Sequence, residues 1–189
     1  TGRPSGLQNE RMFSPDRASF HKAATSGANL IPLAQSWPAD LETPLTAWIK
    51  AGSVHPPGVL LESVEGGETL GRWSVIACNP LWTASARGDL LQRRWRDGRE
   101  DSIQGNPFES LRRCLAPYKC VSLPGLPPLG QLYGMWGYEL IQWIEPTVPV
   151  HPRTAGDPPD GIWMLMDAIL IFDQVKRQIT AVAYADLSD

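Results

Sequence analysis

Cysteine is scarce in this chain of 189 residues, and the common phosphate-binding motifs are missing. The three cysteines, Cys78, Cys114 and Cys120, form no Cys-x-x-Cys pair, and their odd number is typical of a reducing compartment. Neither the G-x-G-x-x-G pattern nor the P-loop pattern occurs, which argues against the nucleotide sites that these patterns define. We therefore expect neither a disulfide scaffold nor such a nucleotide site.

Residues that could carry catalysis or hold a metal ion are also few. His21, His55 and His151 lie far apart and lack the spacing of metal ligands. No Gly-x-Ser-x-Gly elbow is present. Cys78 falls in the middle of a predicted strand, where a buried thiol is a poor nucleophile. We therefore expect no catalytic residue, no metal site and no cofactor in this chain.

Neither charge nor hydrophobicity is concentrated in long runs. The net charge of -3, from 17 basic and 20 acidic residues, argues against nucleic acid or an anionic membrane as the main partner. No apolar run is long enough to span a bilayer and no signal peptide is recognisable, so we expect a cytoplasmic protein. The length suits one globular domain. We place it at residues 12–189, after a disordered tail or sequence remnant at residues 1–11.

The most informative stretch begins with a short apolar strand. Residues 59–61 are apolar, and Glu62 and Ser63 follow them directly. Two glycines then mark a turn, and residues 70–76, with Arg72 near their start, are typical of a returning strand. A carboxylate, a hydroxyl and a guanidinium are therefore predicted near the same end of a two-stranded unit.

These three groups match the chemistry of a free amino acid. An ammonium group pairs with a carboxylate such as that of Glu62, and a carboxylate pairs with a guanidinium such as that of Arg72 or with backbone N–H groups. Consecutive strand residues point to opposite faces. Glu62 and Ser63 therefore serve one pocket only if the strand ends or bulges there, or if one of them contributes its backbone. The alternative is an ordinary strand end whose polar side chains face solvent.

Periodicity and capping signals predict an α+β fold of antiparallel, sandwich-like sheets with helices packed on the outer side. Helices are predicted at residues 14–27, with Ser14 as N-cap, at 43–52, from 106 onward and at 137–144. The remaining predicted strands cover residues 30–33, 73–78, 81–86, 90–95, 131–136, 162–172 and 178–184. A hairpin signal at Asp97-Gly98 adds a short return strand, so residues 73–95 and this strand are expected to form one antiparallel meander.

Two charged features allow two interpretations each. Four arginines between residues 93 and 99 lie on a predicted hairpin. They form either a solvated edge strand protected by charge or a contact for an acidic patch on another domain or subunit. Asp167 interrupts the apolar run 162–172, and it is either a satisfied structural carboxylate or a hydrogen-bonding residue near a ligand. The sequence does not decide between these alternatives.

Five short motifs follow one another along the chain: Leu41-Glu42-Thr43-Pro44, Leu60-Leu61-Glu62-Ser63, Gly71-Arg72-Trp73-Ser74, Gly134-Met135-Trp136-Gly137-Tyr138-Glu139-Leu140 and Leu170-Ile171-Phe172-Asp173. Together they resemble the N-terminal domain of component I, the large subunit, of anthranilate synthase, a domain that related chorismate-utilising enzymes share. The resemblance covers roughly residues 28–184, which is nearly the whole chain. It implies the same antiparallel α+β fold.

The resemblance also implies a ligand. In that family the Leu-Leu-Glu-Ser segment lines the site where tryptophan binds as feedback inhibitor. Carried over, Leu61, Glu62 and Ser63 would line the site, and Arg72 is a further candidate where relatives often place a basic residue. The chorismate- and magnesium-binding residues of the family belong to a longer C-terminal half, so catalysis and Mg²⁺ are expected there and not in this chain.

The partners expected from the resemblance are L-tryptophan as effector, the C-terminal chorismate-binding domain and a glutamine amidotransferase subunit that supplies ammonia. The whole enzyme of the family converts chorismate to anthranilate in tryptophan biosynthesis. Two alternatives remain open. One is the same domain of component I of aminodeoxychorismate synthase, in the folate pathway. The other is a free-standing, non-catalytic module that binds an amino acid or a protein.

Overall fold

Ten strands, three α-helices and one 3-10 helix make up the part of the chain that this computed structural model describes, which is residues 13–52, 57–62, 71–127, 130–150, 152–154 and 156–188. The helices are α1 (Arg17–Thr25), α2 (Pro44–Gly52), α3 (Pro107–Leu115) and the 3-10 helix (Tyr138–Trp143). The strands are β1 (Leu30–Pro38), β2 (Gly58–Leu61), β3 (Trp73–Cys78), β4 (Trp82–Arg87), β5 (Leu90–Trp95), β6 (Glu100–Gln104), β7 (Leu132–Trp136), β8 (Gly161–Leu165), β9 (Ala168–Asp173) and β10 (Gln178–Asp186).

The strands form two antiparallel sheets of five strands each. Sheet A has the order β1-β10-β9-β3-β2, and sheet B has the order β6-β5-β4-β8-β7. An apolar layer between the sheets contains Ile171 and Val182 of sheet A, together with Tyr133 and Met164 of sheet B. We call it the inter-sheet layer. It is the core that makes the two sheets a sandwich.

Helices cover the outer faces of both sheets. On sheet B, Leu111 of α3 and Leu140 of the 3-10 helix pack with Trp82 and Trp163. On sheet A, Ala47 of α2 packs with Ile76, Phe172 and Ile179. The predicted α+β fold, with antiparallel sheets inside and helices outside, is confirmed.

The first residues of the helices show where capping residues and prolines correctly predict the start of a helix. Asn106 caps α3 by accepting a hydrogen bond from the Phe108 N–H at 2.9 Å, and α2 begins at Pro44 as predicted. Helix α1 begins only at Arg17 with Asp16 as its N-cap, so the prediction that Ser14 is the N-cap was wrong. Ser14 instead forms an antiparallel bridge to Ala34 of β1.

The apolar run 162–172 was expected to be one strand, and the structure shows two strands in different sheets. Strand β8 ends in sheet B, and β9 begins in sheet A three residues later. The fully buried Met166 and the following Asp167 carry the chain across the sandwich. The polar residue in the run therefore marks the crossover and not an interruption within one strand.

The meander is also shorter than expected. Strand β3 belongs to sheet A, whereas β4, β5 and β6 form the meander in sheet B. Asn79, in the left-handed region with φ 56°, lies in the connection between β3 and β4. A change of sheet leaves the alternation of apolar residues intact, which is why periodicity does not reveal it.

Strand β1 is nine residues long and not the four predicted, because β10 pairs with it along its full length, from Leu30 opposite Asp186 to Pro38 opposite Gln178. One polar residue of β1 has a partner inside the sheet: the Ser36 and Thr180 hydroxyls lie 2.7 Å apart. The predicted Gly66-Gly67 turn and the predicted tail at residues 1–11 lie outside the described residues.

Candidate functional site

Leu61 is the last residue of β2, an edge strand of sheet A. It lies opposite Val75 of β3, and Val75 lies opposite Ile171 of β9. Residues opposite each other share a sheet face, so Leu61 lies on the face that carries the inter-sheet layer. Its side chain is 49% exposed. Leu61 therefore lies where the face of the inter-sheet layer meets the edge of sheet A. The described residues cover only about half of its side chain.

Glu62 follows directly, where regular pairing with β3 has ended, and its side chain is exposed. An exposed acidic residue therefore directly follows Leu61 at the edge of the sandwich. Ser63 lies outside the described residues, so its predicted place in the same pocket stays a prediction.

Arg72 precedes β3 and forms a two-pronged ion pair with Asp173, the last residue of β9. Its Nε donates to Asp173 Oδ1 at 3.0 Å, and its Nη2 donates to Oδ2 at 2.6 Å. The guanidinium also lies 4.4 Å from the centre of the Trp73 ring, a distance at which a cation is attracted to an aromatic face. The first role that the geometry gives Arg72 is therefore to tie the start of β3 to the end of β9.

Asp173 is almost fully buried and also accepts hydrogen bonds from the backbone N–H groups of Val175 and Lys176, at 3.1 and 3.0 Å. Burial raises the pKa of Asp173, but the hydrogen bonds from Arg72 and from these backbone groups outweigh it. The net pKa is lowered from the ordinary value of 3.8. The carboxylate therefore stays ionised at neutral pH, and it orders the turn between β9 and β10.

A cleft of about 180 Å³ adjoins this ion pair. Its lining includes Trp73, Asp173, Lys176, Ser36 and Thr180. No functional role was predicted for Trp73 or Asp173 from the sequence, although both stand in the motifs that carry the family resemblance. The signal that could have indicated Asp173 is a carboxylate that closes an apolar strand directly before a turn.

The basic hairpin carries its own counter-charges. Carboxylates within the chain pair with all four arginines: Arg93 with Asp101, Arg94 with Glu100, Arg96 with Asp167 and Arg99 with Asp97. These pairs favour a charge-protected surface over a docking site for an acidic partner. Asp167 pairs with Arg96 at 2.6 Å. Because its carboxylate has a partner within the chain, we assign it a structural role.

Features of a metal site, a reactive thiol or a membrane span are lacking in the described part of the chain. No group of three or more His, Cys, Asp or Glu side chains there could hold a metal ion. Burial raises the pKa of the half-buried Cys78 thiol, which lowers its thiolate fraction. No helix within the described ranges combines the length and the hydropathy that a membrane span requires.

Known proteins similar to this chain include anthranilate synthase chains. No protein-family model matches the chain. Over 177 residues, or 93% of this chain, it is 52% identical to anthranilate synthase component 1 of Synechocystis sp., and the match spans 35% of that protein. It is 32% identical over 175 residues to anthranilate synthase component 1 of Cereibacter sphaeroides, with 90% of this chain and 35% of the relative covered.

A solved structure shows the same fold. The crystal structure of anthranilate synthase component I from Streptococcus pneumoniae TIGR4 matches with a TM-score of 0.50 and 24% sequence identity, over 79% of this chain and 31% of that one. The chain thus spans about a third of the length of the curated relatives it matches. It is a two-sheet α+β domain related to part of a larger, multidomain biosynthetic enzyme. It belongs to the anthranilate synthase component I family.

Proposed function

We propose that this chain is the N-terminal, tryptophan-binding and structural domain of anthranilate synthase component I, acting in the cytoplasm. The observation that supports the tryptophan site is the placement of Leu61 and Glu62. An edge strand ends at a half-exposed apolar residue on the face of the inter-sheet layer, and an exposed acidic residue follows it directly in the chain. An amino acid with a large apolar side chain presents the complementary pair of groups.

Each candidate residue has a proposed role. Glu62 accepts hydrogen bonds from the ammonium group of tryptophan, and Ser63 contacts the same head group. Leu61 receives one face of the indole ring. Arg72 donates to the tryptophan carboxylate and shares its guanidinium with Asp173, which holds it in place from the protein side.

The proposed activity belongs to the whole enzyme. Component I converts chorismate to anthranilate with ammonia from a glutamine amidotransferase subunit, and the chorismate and Mg²⁺ sites lie in the part of the polypeptide outside this chain. Bound tryptophan favours a less active arrangement of the two parts, because it has different affinities for the two arrangements.

The proposal predicts that the chain alone binds tryptophan weakly. Leu61 is half open at the edge of the sandwich, so part of the pocket wall must come from the rest of the enzyme, and the contacts that remain do not offset the entropic cost of binding. We expect a dissociation constant weaker than about 1 mM in calorimetric titration of residues 1–189 with L-tryptophan. Micromolar binding would show that the pocket is complete within this chain.

Feedback inhibition tests the head-group roles. The experiment uses a chimera in which this chain replaces the matching third of the Synechocystis relative. We expect Glu62→Gln and Ser63→Ala each to raise the tryptophan concentration for half-inhibition by about tenfold or more, because a hydrogen bond to a charged group contributes about 1.5–3 kcal/mol. The uninhibited rate of anthranilate formation should stay within about twofold.

A matched control is Glu109→Gln, which changes an exposed carboxylate on α3 that pairs with Arg112. It should leave inhibition unchanged. If Glu62→Gln and Ser63→Ala behaved like this control, the site would lie elsewhere.

The reaction product of a full-length enzyme that carries this sequence separates anthranilate synthase from aminodeoxychorismate synthase. The relatives reported above are all anthranilate synthase chains, which favours the first.

A further inference from the structure

The four edge strands of the two sheets are protected to very different degrees. Edge strands expose unpaired N–H and C=O groups, and proteins guard them with charge, proline, short length or a covering segment. In sheet A, the outer side of β1 is bridged by Ser14 and by the segment around Cys120. Strand β2 has four residues, and β6 carries Glu100 and Asp101 in ion pairs.

Strand β7 is also short, with five residues, but no bridging segment covers it among the described residues. It reads Leu-Tyr-Gly-Met-Trp, with neither a charged residue nor a proline. Met135 is 56% exposed, and Trp136 is about equally exposed. An uncharged, apolar edge is a surface at which another strand adds to a sheet.

The hydrogen-bond pattern shows which backbone groups of β7 face outward. Gln131 C=O accepts from Met166 N–H at 2.9 Å, and Gly137 N–H donates to Asp160 C=O at 2.6 Å. Both bonds run to the β8 side, and the side of the strand alternates from one residue to the next. The N–H and C=O groups of the even-numbered residues, 132, 134 and 136, therefore point away from β8.

The side chains next to this edge also lack cover. Met135 and Tyr133 are two residues apart on one strand and share a face, and Tyr133 belongs to the inter-sheet layer. Met135 lies opposite Ile162 of β8, and both are exposed large apolar side chains. Met135 and Ile162 are therefore exposed apolar side chains on the same face of sheet B as the inter-sheet layer.

We infer that sheet B continues at β7: a strand from the part of the component I polypeptide outside this chain pairs with β7, and apolar side chains from that part cover Met135 and Ile162. The inference rests on the family assignment and not on tryptophan binding. About two thirds of the length of the relatives lies outside the match with this chain. An uncharged apolar surface is typical of a permanent interface, and less of a transient one.

Hydrogen exchange tests this inference in two samples, the chain alone and the chimera with the Synechocystis relative. We expect exchange at the amides of residues 132, 134 and 136 to be slower in the chimera by about tenfold or more, since an amide in a ladder exchanges only when the ladder opens. If the chimera cannot be purified, the remaining segment of the relative is added as a separate chain. Unchanged exchange at β7 in the sample obtained would overturn the inference.

Substitutions provide the matched control. Met135→Lys places a charge at the proposed interface, and Leu45→Lys does the same on α2, where Leu45 is 54% exposed. Both should leave the unfolding temperature of the chain alone unchanged. In the assembled protein, only Met135→Lys should lower it and restore fast exchange at β7.

The other possible occupants give distinct results, and each would overturn the inference. Protection of β7 that grows with the concentration of the chain alone would indicate a second copy. Protection that appears only when the glutamine amidotransferase subunit is added would indicate that subunit. Tryptophan inhibition is measured separately in the same chimera, so failure of the effector site and failure of the β7 interface are distinguishable.

Discussion

Replacement of Trp163 by alanine is expected to destabilise the domain by about 3–5 kcal/mol, the range for loss of a buried aromatic side chain. Trp163 of β8 is 1% exposed, and its ring lies 4.8 Å from that of Trp136 in an edge-to-face arrangement. Two glycines make room for it. A Cβ at Gly161 would lie 2.5 Å from the indole ring, and a Cβ at Gly134 would lie 2.8 Å from its Cδ1 atom.

The measurement is urea unfolding of the chain, followed by circular dichroism. Trp163→Phe should lose less than half as much unfolding free energy as Trp163→Ala. The indole N–H has no hydrogen-bond partner among the described residues, so its removal breaks no polar contact. Trp37→Ala, at an exposed position on β1, serves as the control and should cost less than about 1 kcal/mol. A loss below about 1 kcal/mol for Trp163→Ala would contradict this packing.

Asp173→Asn is expected to give the second large effect, about 2 kcal/mol at pH 7. Asp173 is 5% exposed, and removal of one partner of a buried ion pair typically costs about 3–5 kcal/mol. We discount this range because a quarter of the Arg72 side chain is exposed and its charge is screened by solvent. Glu100→Gln, which breaks an exposed pair with Arg94, is the control and should have little effect.

The effect of Asp173→Asn should depend on pH in a defined direction. The pKa of Asp173 in the folded chain lies below its ordinary value of 3.8, so the ionised carboxylate stabilises the fold fully at pH values above that ordinary value. This stability is lost as the pH falls through the folded pKa. The difference in unfolding free energy between wild type and Asp173→Asn should therefore be constant from about pH 8 to pH 5 and shrink below about pH 4. A difference that grew on acidification would contradict the assignment.

Local signals predicted the elements whose ends depend on neighbouring residues. Asn106 and Pro107 fixed the start of α3, and Pro44 and Gly52 bounded α2. Elements that depend on distant partners were less predictable. Gln35 and Ser36 resemble loop residues in the sequence, but they continue β1 because β10 pairs alongside them.

The candidate site also combines features that depend on neighbouring residues with features that depend on distant partners. The apolar strand that ends at Leu61 and Glu62 could be predicted, because apolar residues and their polar successor are adjacent in the chain. The partner of Arg72 could not, since Asp173 is 101 residues away and no local pattern connects the two. The change of sheet at Met166 was missed for a related reason, because strands buried on both faces have the same composition in either sheet.

The pairing of β1 with β10 has a consequence for synthesis of the chain. The hydroxyls of Ser36 and Thr180, which meet across this pair, are 144 residues apart. While the ribosome is still adding the intervening residues, β1 has no neighbour within sheet A, since β10 is the strand beside it. Closure of so long a loop is slow. The nascent domain therefore carries an apolar strand without its neighbour in sheet A until residue 186 has left the exit tunnel, and exposed strands of this kind are prone to aggregation.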